Sequence, residues 1–146
     1  NKIEEKYRNG EFSKVPKKQT SSRYSKSSKN LFDNLLSKFP DSKSYSSELE
    51  LIFENKTRVY FDFLLGNKII EFNGDYWHCN PKNYEPEYFH KRLKMTASKK
   101  WKIDEEKIKL AKSHGYEVLI IWESEFKENQ EHIINKCINF LNKFDE

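Results

Sequence analysis

Asp62 and Glu71 are carboxylates whose spacing in this sequence could do chemistry. Between them lies Gly66-Asn67, a pair suited to a two-residue type II′ hairpin turn because glycine tolerates the first central position. Register then follows by counting: Leu65 faces Lys68, Leu64 faces Ile69, Phe63 faces Ile70, and Asp62 faces Glu71. Directly opposed residues share a face, with Cβ atoms about 4.5–5.5 Å apart. Two like charges at that distance destabilise a hairpin unless a cation neutralises them. A hard divalent ion such as Mg²⁺ does so, because it takes one or two carboxylates and fills its other positions with water and phosphate oxygens. The plainer reading is a pair of acids on a solvated sheet face. Leu64 and Ile69 share that face, however, so it is not an ordinary wet surface.

Two further residues could move protons. His78, as a neutral imidazole, accepts a proton from water and, when charged, returns one to a leaving oxygen. With Cys79 beside it, it does not make a zinc site, which needs more ligands. Trp101, Asp104, Ile108 and Ala111 fall at offsets of three and four, one stripe of a helix that is predicted to face the core. A carboxylate there needs a partner. His78 is the candidate, with a local pair to Lys100 or Lys107 as the alternative. The stretch Lys82–Lys102 interleaves Tyr84, Tyr88, Phe89, His90 and Trp101 with Lys91, Arg92, Lys94, Lys99, Lys100 and Lys102. Cations for phosphates and rings for bases suit nucleic acid, and a solvated loop and helix face is the alternative.

Elements of regular spacing must hold these groups. Leu31, Phe32, Leu35, Leu36 and Phe39 predict a helix that Pro40 ends. Three strand-like runs follow, Glu48–Phe53, Arg58–Leu65 and Lys68–Asn73, separated by Asn55-Lys56 and Gly66-Asn67. Phe61, Phe63, Ile70 and Phe72 are expected to share the core face of the hairpin. Residues 74–96 read as mostly irregular. Ala97–His114 regains helical spacing, with Gly115 as a C-cap. Glu117–Trp122 is a continuous apolar run, the mark of a strand buried on both faces. A final amphipathic helix is predicted over Glu125–Phe144. No internal repeat occurs, and the order is α-β-β-β-α-β-α, an α/β fold. If the Glu48–Leu65 hairpin has a three-residue loop, Glu48 and Glu50 share the face of Asp62; with a two-residue loop, Leu49 does instead.

The 146 residues fit one domain and a tail. Hydrophobic content is 36% and charged content 34%, a polar balance, but 11 Phe, 8 Tyr and 3 Trp can fill a small core. The net charge of +4 is uneven: residues 1–30 carry nine Lys/Arg against three Glu, and the rest of the chain is slightly acidic. Residues 1–29, rich in Ser, Lys and Gln, read as a flexible basic linker or arm with a short helical start at Ile3–Tyr7. Such an arm suits a phosphate backbone or is simply a solvated tail. Residues 30–146 read as the domain. No apolar run approaches a membrane span and no signal peptide is visible, so no membrane partner is expected. Asn1 is not an initiator, as expected of a fragment or a processed chain. Cys79 and Cys137 form neither a metal pattern nor a disulfide framework, so an intracellular, cytoplasmic setting is expected.

The runs Val59-Tyr60-Phe61-Asp62-Phe63 and Ile69-Ile70-Glu71-Phe72-Asn73-Gly74-Asp75-Tyr76-Trp77-His78 resemble the PD-(D/E)XK nuclease superfamily. Within it, the chain looks like the very-short-patch-repair (Vsr-type) nucleases and the EDxHD homing endonucleases common in phages. Trp101-x-x-Asp104-x-x-Lys107 and Gly115–Glu123, with its V-L-I-x-W-E strand, extend the similarity over about residues 30–140. The resemblance implies a restriction-endonuclease-like core, with a central mixed sheet flanked by helices. It implies a Mg²⁺-dependent endonuclease, with Mn²⁺ as a substitute, acting on double-stranded DNA in a phage-type, bacterial setting. Asp62 and Glu71 match the metal-binding acids, although the Vsr branch has an apolar residue where Glu71 stands. His78 matches the catalytic histidine, Asp104 the helix aspartate, and Glu48, in preference to Glu50, the leading glutamate. Tyr76 and Trp77 match an aromatic wedge against bases, and Arg92, Lys99 and Lys100 are expected to contact DNA. Asn73 departs from the pattern: the superfamily has Lys there and Vsr-type enzymes His. Asn73 hydrogen-bonds water or phosphate but is no base near neutral pH. That departure keeps open a DNA-binding module with impaired catalysis. A protein-interaction domain with an acidic sheet face is the third reading.

Overall fold

The computed structural model describes residues 24–44, 50–52 and 58–143, and the counted hairpin forms there in the counted register. Phe63 pairs with Ile70, Leu64 with Ile69 and Leu65 with Lys68. Gly66 takes φ +60° while Asn67 keeps a negative φ, as the two centres of a type II′ turn require. A Cβ on Gly66 would meet nothing within 4 Å. Gly66→Ala therefore tests backbone conformation alone. It is expected to cost about 1 kcal/mol, read as a lower urea midpoint with an unchanged slope.

The first helix, α1 (Lys26–Lys38), starts earlier than its apolar spacing predicts. Ser25 explains this: its Oγ accepts the Ser28 N–H at 3.1 Å and caps the helix. The strands are β1 (Lys43–Ser44), β2 (Glu50–Ile52), β3 (Arg58–Tyr60), β4 (Phe63–Leu65), β5 (Lys68–Asn73), β6 (Phe89–His90), β7 (Met95–Thr96) and β8 (Glu117–Trp122). Helix α2 (Ala97–Ser113) precedes β8, and α3 (Glu123–Glu128) and α4 (Gln130–Asn142) follow it. A four-stranded mixed sheet runs β1-β4-β5-β8, with β8 parallel to β5 and the other pairs antiparallel. Strands β2–β3 and β6–β7 form two separate ribbons. The fold is mixed α/β, with four helices among the described residues.

The expected order α-β-β-β-α-β-α is corrected in three places. The last helix is two helices, because Asn129 caps α4 by accepting the His132 N–H at 3.0 Å. Strand β1 and the β6–β7 ribbon add three two-residue strands, too short to leave a periodic signal. The run Arg58–Leu65 breaks at Phe61-Asp62. That break overturns the expectation that Phe61 shares a face with Phe63. Phe61 packs with Val59, Ile69 and Ala111 beneath α2. Phe63, Ile70 and Phe72 pack on the opposite side with α1, α3 and α4. A bend inserted into a strand shifts its period-two alternation, so every side chain after it changes face.

Both faces of the sheet carry packed side chains, but β8, expected to be buried on both faces, is fully buried only at Ile121 because it is the sheet's edge strand. Gly115, at φ +88°, ends α2: its N–H donates to Lys112 O (3.0 Å) and the Tyr116 N–H to Ala111 O (3.1 Å), the paired bonds of a Schellman motif. No helix among the described residues is long and apolar enough to cross a membrane. Glu48, residues 1–23 of the expected arm and the predicted helix end at Phe144 lie outside the described residues.

Candidate functional site

The bend at Asp62 brings the two acids together in a way that counting alone does not give. The ladder stops at Phe63–Ile70. Beyond it, the Asp62 N–H donates to Glu71 Oε1 (2.8 Å) and the Phe72 N–H donates to Asp62 Oδ2 (2.9 Å). Ser44 Oγ holds the bend by donating to the Asp62 carbonyl at 2.5 Å. Each acid therefore accepts a backbone donor from the other's strand. Glu71 is buried. Burial, then the charge of Asp62, pushes its carboxyl from an ordinary 4.5 up to about 7, against the opposing charge of Lys107.

Lys107, expected from the sequence as an alternative local partner for Asp104 and as part of the Trp101-x-x-Asp104-x-x-Lys107 run, pairs instead with Glu71. Its Nζ lies 2.9 Å from Glu71 Oε2 and 4.6 Å from the centre of the Phe61 ring. A signal was present: Asp104 and Lys107 are three apart on α2, so one helix stripe carries both to the sheet. Asn73 is buried at the end of β5, opposite Trp122.

His78 and Asp104 meet as expected, at 2.8 Å between Nδ1 and Oδ2. The alternative pairing holds as well, since Lys100 Nζ reaches Asp104 Oδ1 at 2.8 Å. Burial alone would raise the Asp104 carboxyl. The hydrogen bond from His78 and the charge of Lys100 outweigh it and hold the group down at about 2. A permanent carboxylate on Nδ1 makes that nitrogen the donor, which leaves Nε2 as the basic atom. The loop carrying His78 is pinned on both sides. Its N–H bonds Gly74 O (3.0 Å), and Asp75 Oδ1 accepts from Asn80 Nδ2 (3.0 Å) and Ser124 Oγ (3.2 Å). Trp101 Nε1 donates to Cys79 O at 2.6 Å. Asp75 of the Gly-Asp-Tyr-Trp-His run is thus a clamp between this loop and the first turn of α3.

Asp62 and His78 both open onto one cavity of about 390 Å³, with Tyr76, Trp77, Ser28 and Glu123 in its wall. Glu123 was not singled out from sequence; it sits just past β8 and pairs with Lys127 at 3.5 Å. Trp77 is 47% exposed, so it is not a core residue. Lys100 is committed to Asp104 with 17% of its side chain exposed, a poorer DNA contact than expected. Arg92 is exposed, with its guanidinium 5.8 Å from the Trp77 ring. Lys99 is half-buried on the first turn of α2, its N–H accepted by Thr96 Oγ1. Glu50 pairs with Tyr60 across β2–β3, the parity of the three-residue-loop alternative. Its side chain bonds the Tyr60 hydroxyl, and burial together with that contact raises the phenol.

Among the described residues no cluster of three or more His, Cys, Asp and Glu is arranged to hold a metal. The donor set is the Asp62–Glu71 pair. Two carboxylates suffice for Mg²⁺ when substrate phosphate and water complete its shell; the Glu71 carboxyl is raised by burial first and by the charge of Asp62 second, which Lys107 only partly offsets. A hard divalent ion at this pair would have to compete with the Lys107 ammonium for Glu71 Oε2 and with the Asp62 N–H for Oε1.

No family model matches the chain, and no curated protein or solved structure does either.

Proposed function

We propose that this chain is a metal-dependent DNA endonuclease with a PD-(D/E)XK-type core, close in design to the Vsr-like and EDxHD homing nucleases. The observation that carries the reading is the juxtaposition at one cavity: an aspartate whose N–H is hydrogen-bonded to a buried glutamate, and a histidine fixed by a half-buried aspartate. A divalent cation held by Asp62 and Glu71 would supply Lewis-acid polarisation of a phosphoryl oxygen and charge for the leaving 3′-oxygen. His78 Nε2 takes the proton of the attacking water as its oxygen bonds to phosphorus and the P–O3′ bond breaks. Asp104 holds the ring in the tautomer that leaves Nε2 basic. Lys107 brings to Glu71, from α2, the ammonium that the family pattern has at the position of Asn73.

Supercoiled plasmid incubated with the protein tests this. Nicking or linearisation with Mg²⁺ or Mn²⁺, and none in EDTA, is the expected result. No cutting across metals and DNA forms would sink the enzyme reading. The Lys107–Glu71 pair favours one second reading, a DNA-binding module whose acids are neutralised from within; salt-sensitive binding without cutting would select it. Asp104→Asn is expected to slow cleavage by about 10²-fold, the low end for loss of a working general base, without loss of DNA binding. An unchanged rate would remove Asp104 from the mechanism.

A further inference from the structure

Among the described residues the four-stranded sheet ends in two unlike edges, β1 on one side and β8 on the other. An open edge is a template for another strand, and native proteins blunt it with short strands, lysine, proline or bulges. Strand β1 is two residues long and its Lys43 is exposed. Strand β8 has none of these devices. Its six residues include no lysine or proline, and its pairing with β5 runs without a bulge. Val118–Trp122 is also the longest apolar run in the sequence, yet Val118, Leu119 and Ile120 stay only half-buried.

The outer backbone of β8 is open as well. The Glu117 N–H donates to Asn67 O at 2.8 Å, so Glu117, Leu119 and Ile121 turn their backbone groups toward β5 in the parallel ladder. Val118 and Ile120 therefore turn N–H and C=O outward, where neither makes a backbone hydrogen bond among the described residues. A strand that answers them must bring apolar side chains to both faces. Residues 1–23 cannot: their apolar residues are Ile3, Tyr7, Phe12 and Val15, no two of them adjacent. A second β8 can, and its sequence fixes the register. Opposed residues of an antiparallel pair both point into the ladder or both point away, so a twofold axis passes through a residue. An axis at Ile120 sets Glu117 against Glu123, and like charges there repel. An axis at Leu119 sets Val118 against Ile120, Glu117 against Ile121 and Tyr116 against Trp122, with no charges opposed. Val118 and Ile120 then each give and take a bond.

We propose that the protein self-associates through β8, two chains pairing antiparallel about a twofold axis at Leu119 so that their sheets become one. Asp62, Gly74 and Glu123 line the candidate cavity at the C-terminal end of β5 and β8, so the axis sends the two cavities to opposite ends of the joined sheet. The pairing stands apart from the chemistry assigned to that cavity.

Sedimentation velocity of the full chain, from about 1 to about 200 µM, tests it. One strand pair makes a small interface, so a monomer–dimer equilibrium with a dissociation constant on the order of 10 µM is expected. Ile120→Lys, which puts a charge on the edge, should weaken it at least about tenfold; thermal melting checks that the variant folds. Leu119→Cys tests the register whether or not that variant folds. The axis makes the two substituted positions a non-hydrogen-bonded pair with Cα atoms about 4.5 Å apart, within reach of a disulfide. Native Cys79 and Cys137 are buried, so oxidation should link dimers through the new thiol alone. Val118→Cys, opposite Ile120, should give no such link. A monomer at every concentration overturns the proposal and leaves the edge to residues 1–23 or to another protein. So does a folded Ile120→Lys variant that still dimerises, or a link formed by Val118→Cys and not by Leu119→Cys. Plasmid cutting by a strictly monomeric protein sinks this inference alone, and a dimer that never cuts sinks the nuclease reading alone.

Discussion

Asp62→Asn is expected to reduce metal-dependent DNA cleavage by at least about 10³-fold while the protein stays folded. The magnitude follows from what the carboxylate would hold. A metal ion at a phosphoryl group stabilises developing charge by several kcal/mol, and each 1.36 kcal/mol is tenfold in rate. Asparagine is the informative replacement because its amide oxygen still accepts the Phe72 N–H that Asp62 Oδ2 accepts. Only the charge goes. The removal of a like charge beside Glu71 also relieves one of the two causes that raise its carboxyl. The variant should therefore unfold at the same urea concentration as wild type, or a higher one, at pH 8. Cleavage within tenfold of wild type would take Asp62 out of the metal site. A collapse of stability would show that its charge serves the fold instead.

The second large effect is on stability. Lys107→Met is expected to cost about 1–2 kcal/mol near pH 8, because a carboxyl that already titrates at about 7 escapes a larger cost by taking up a proton, which limits the charge-dependent loss to about 1.4 kcal/mol. The side chains of Lys107 and Glu71 are 17% and 8% exposed, so solvent cannot take the place of the lost ammonium. The pH dependence gives the mechanism away. Glu71 is raised from 4.5 in the unfolded chain to about 7 in the fold. Between those values the folded protein binds the extra proton, so this group's stability is fully present below 4.5 and is lost as pH rises through 7. The rise is worth on the order of 3 kcal/mol. Without Lys107 the carboxyl rises further, because its charge and hydrogen bond, together with the Asp62 N–H, oppose burial and the charge of Asp62. Urea denaturation without divalent metal should thus show a deficit that is largest at pH 8 and much smaller at pH 5, where Glu71 is protonated. Added Mg²⁺ should recover more stability in the variant than in wild type. A deficit equal at both pH values would mean that Lys107 acts by packing on Phe61 rather than by charge.

Local order in this protein is written in the sequence wherever a short-range period decides it. Gly66-Asn67 fixed the hairpin register because a two-residue turn leaves one pairing, and Leu65–Lys68 to Phe63–Ile70 pair accordingly. The stripe Trp101-Asp104 foretold a helix that turns a carboxylate inward, and Asp104 is found on His78. Strand β8 was legible to the residue because five apolar residues in a row, Val118–Trp122, have few other homes.

The pair of acids shows the limit. By sequence alone, Asp62 and Glu71 are neighbours across a hairpin in need of a counter-charge. The tertiary structure decided how they meet and what neutralises them. The bend held by Ser44 at Asp62 moved Phe61 to the other face and turned cross-strand opposition into reciprocal backbone hydrogen bonds. Docking of α2 on that face brought Lys107 to Glu71 across 36 positions of sequence. Neither event carries a periodic signal, because both depend on where one element comes to rest on another. Spacing along a chain encodes which face a side chain takes; which charge it meets there is set by packing.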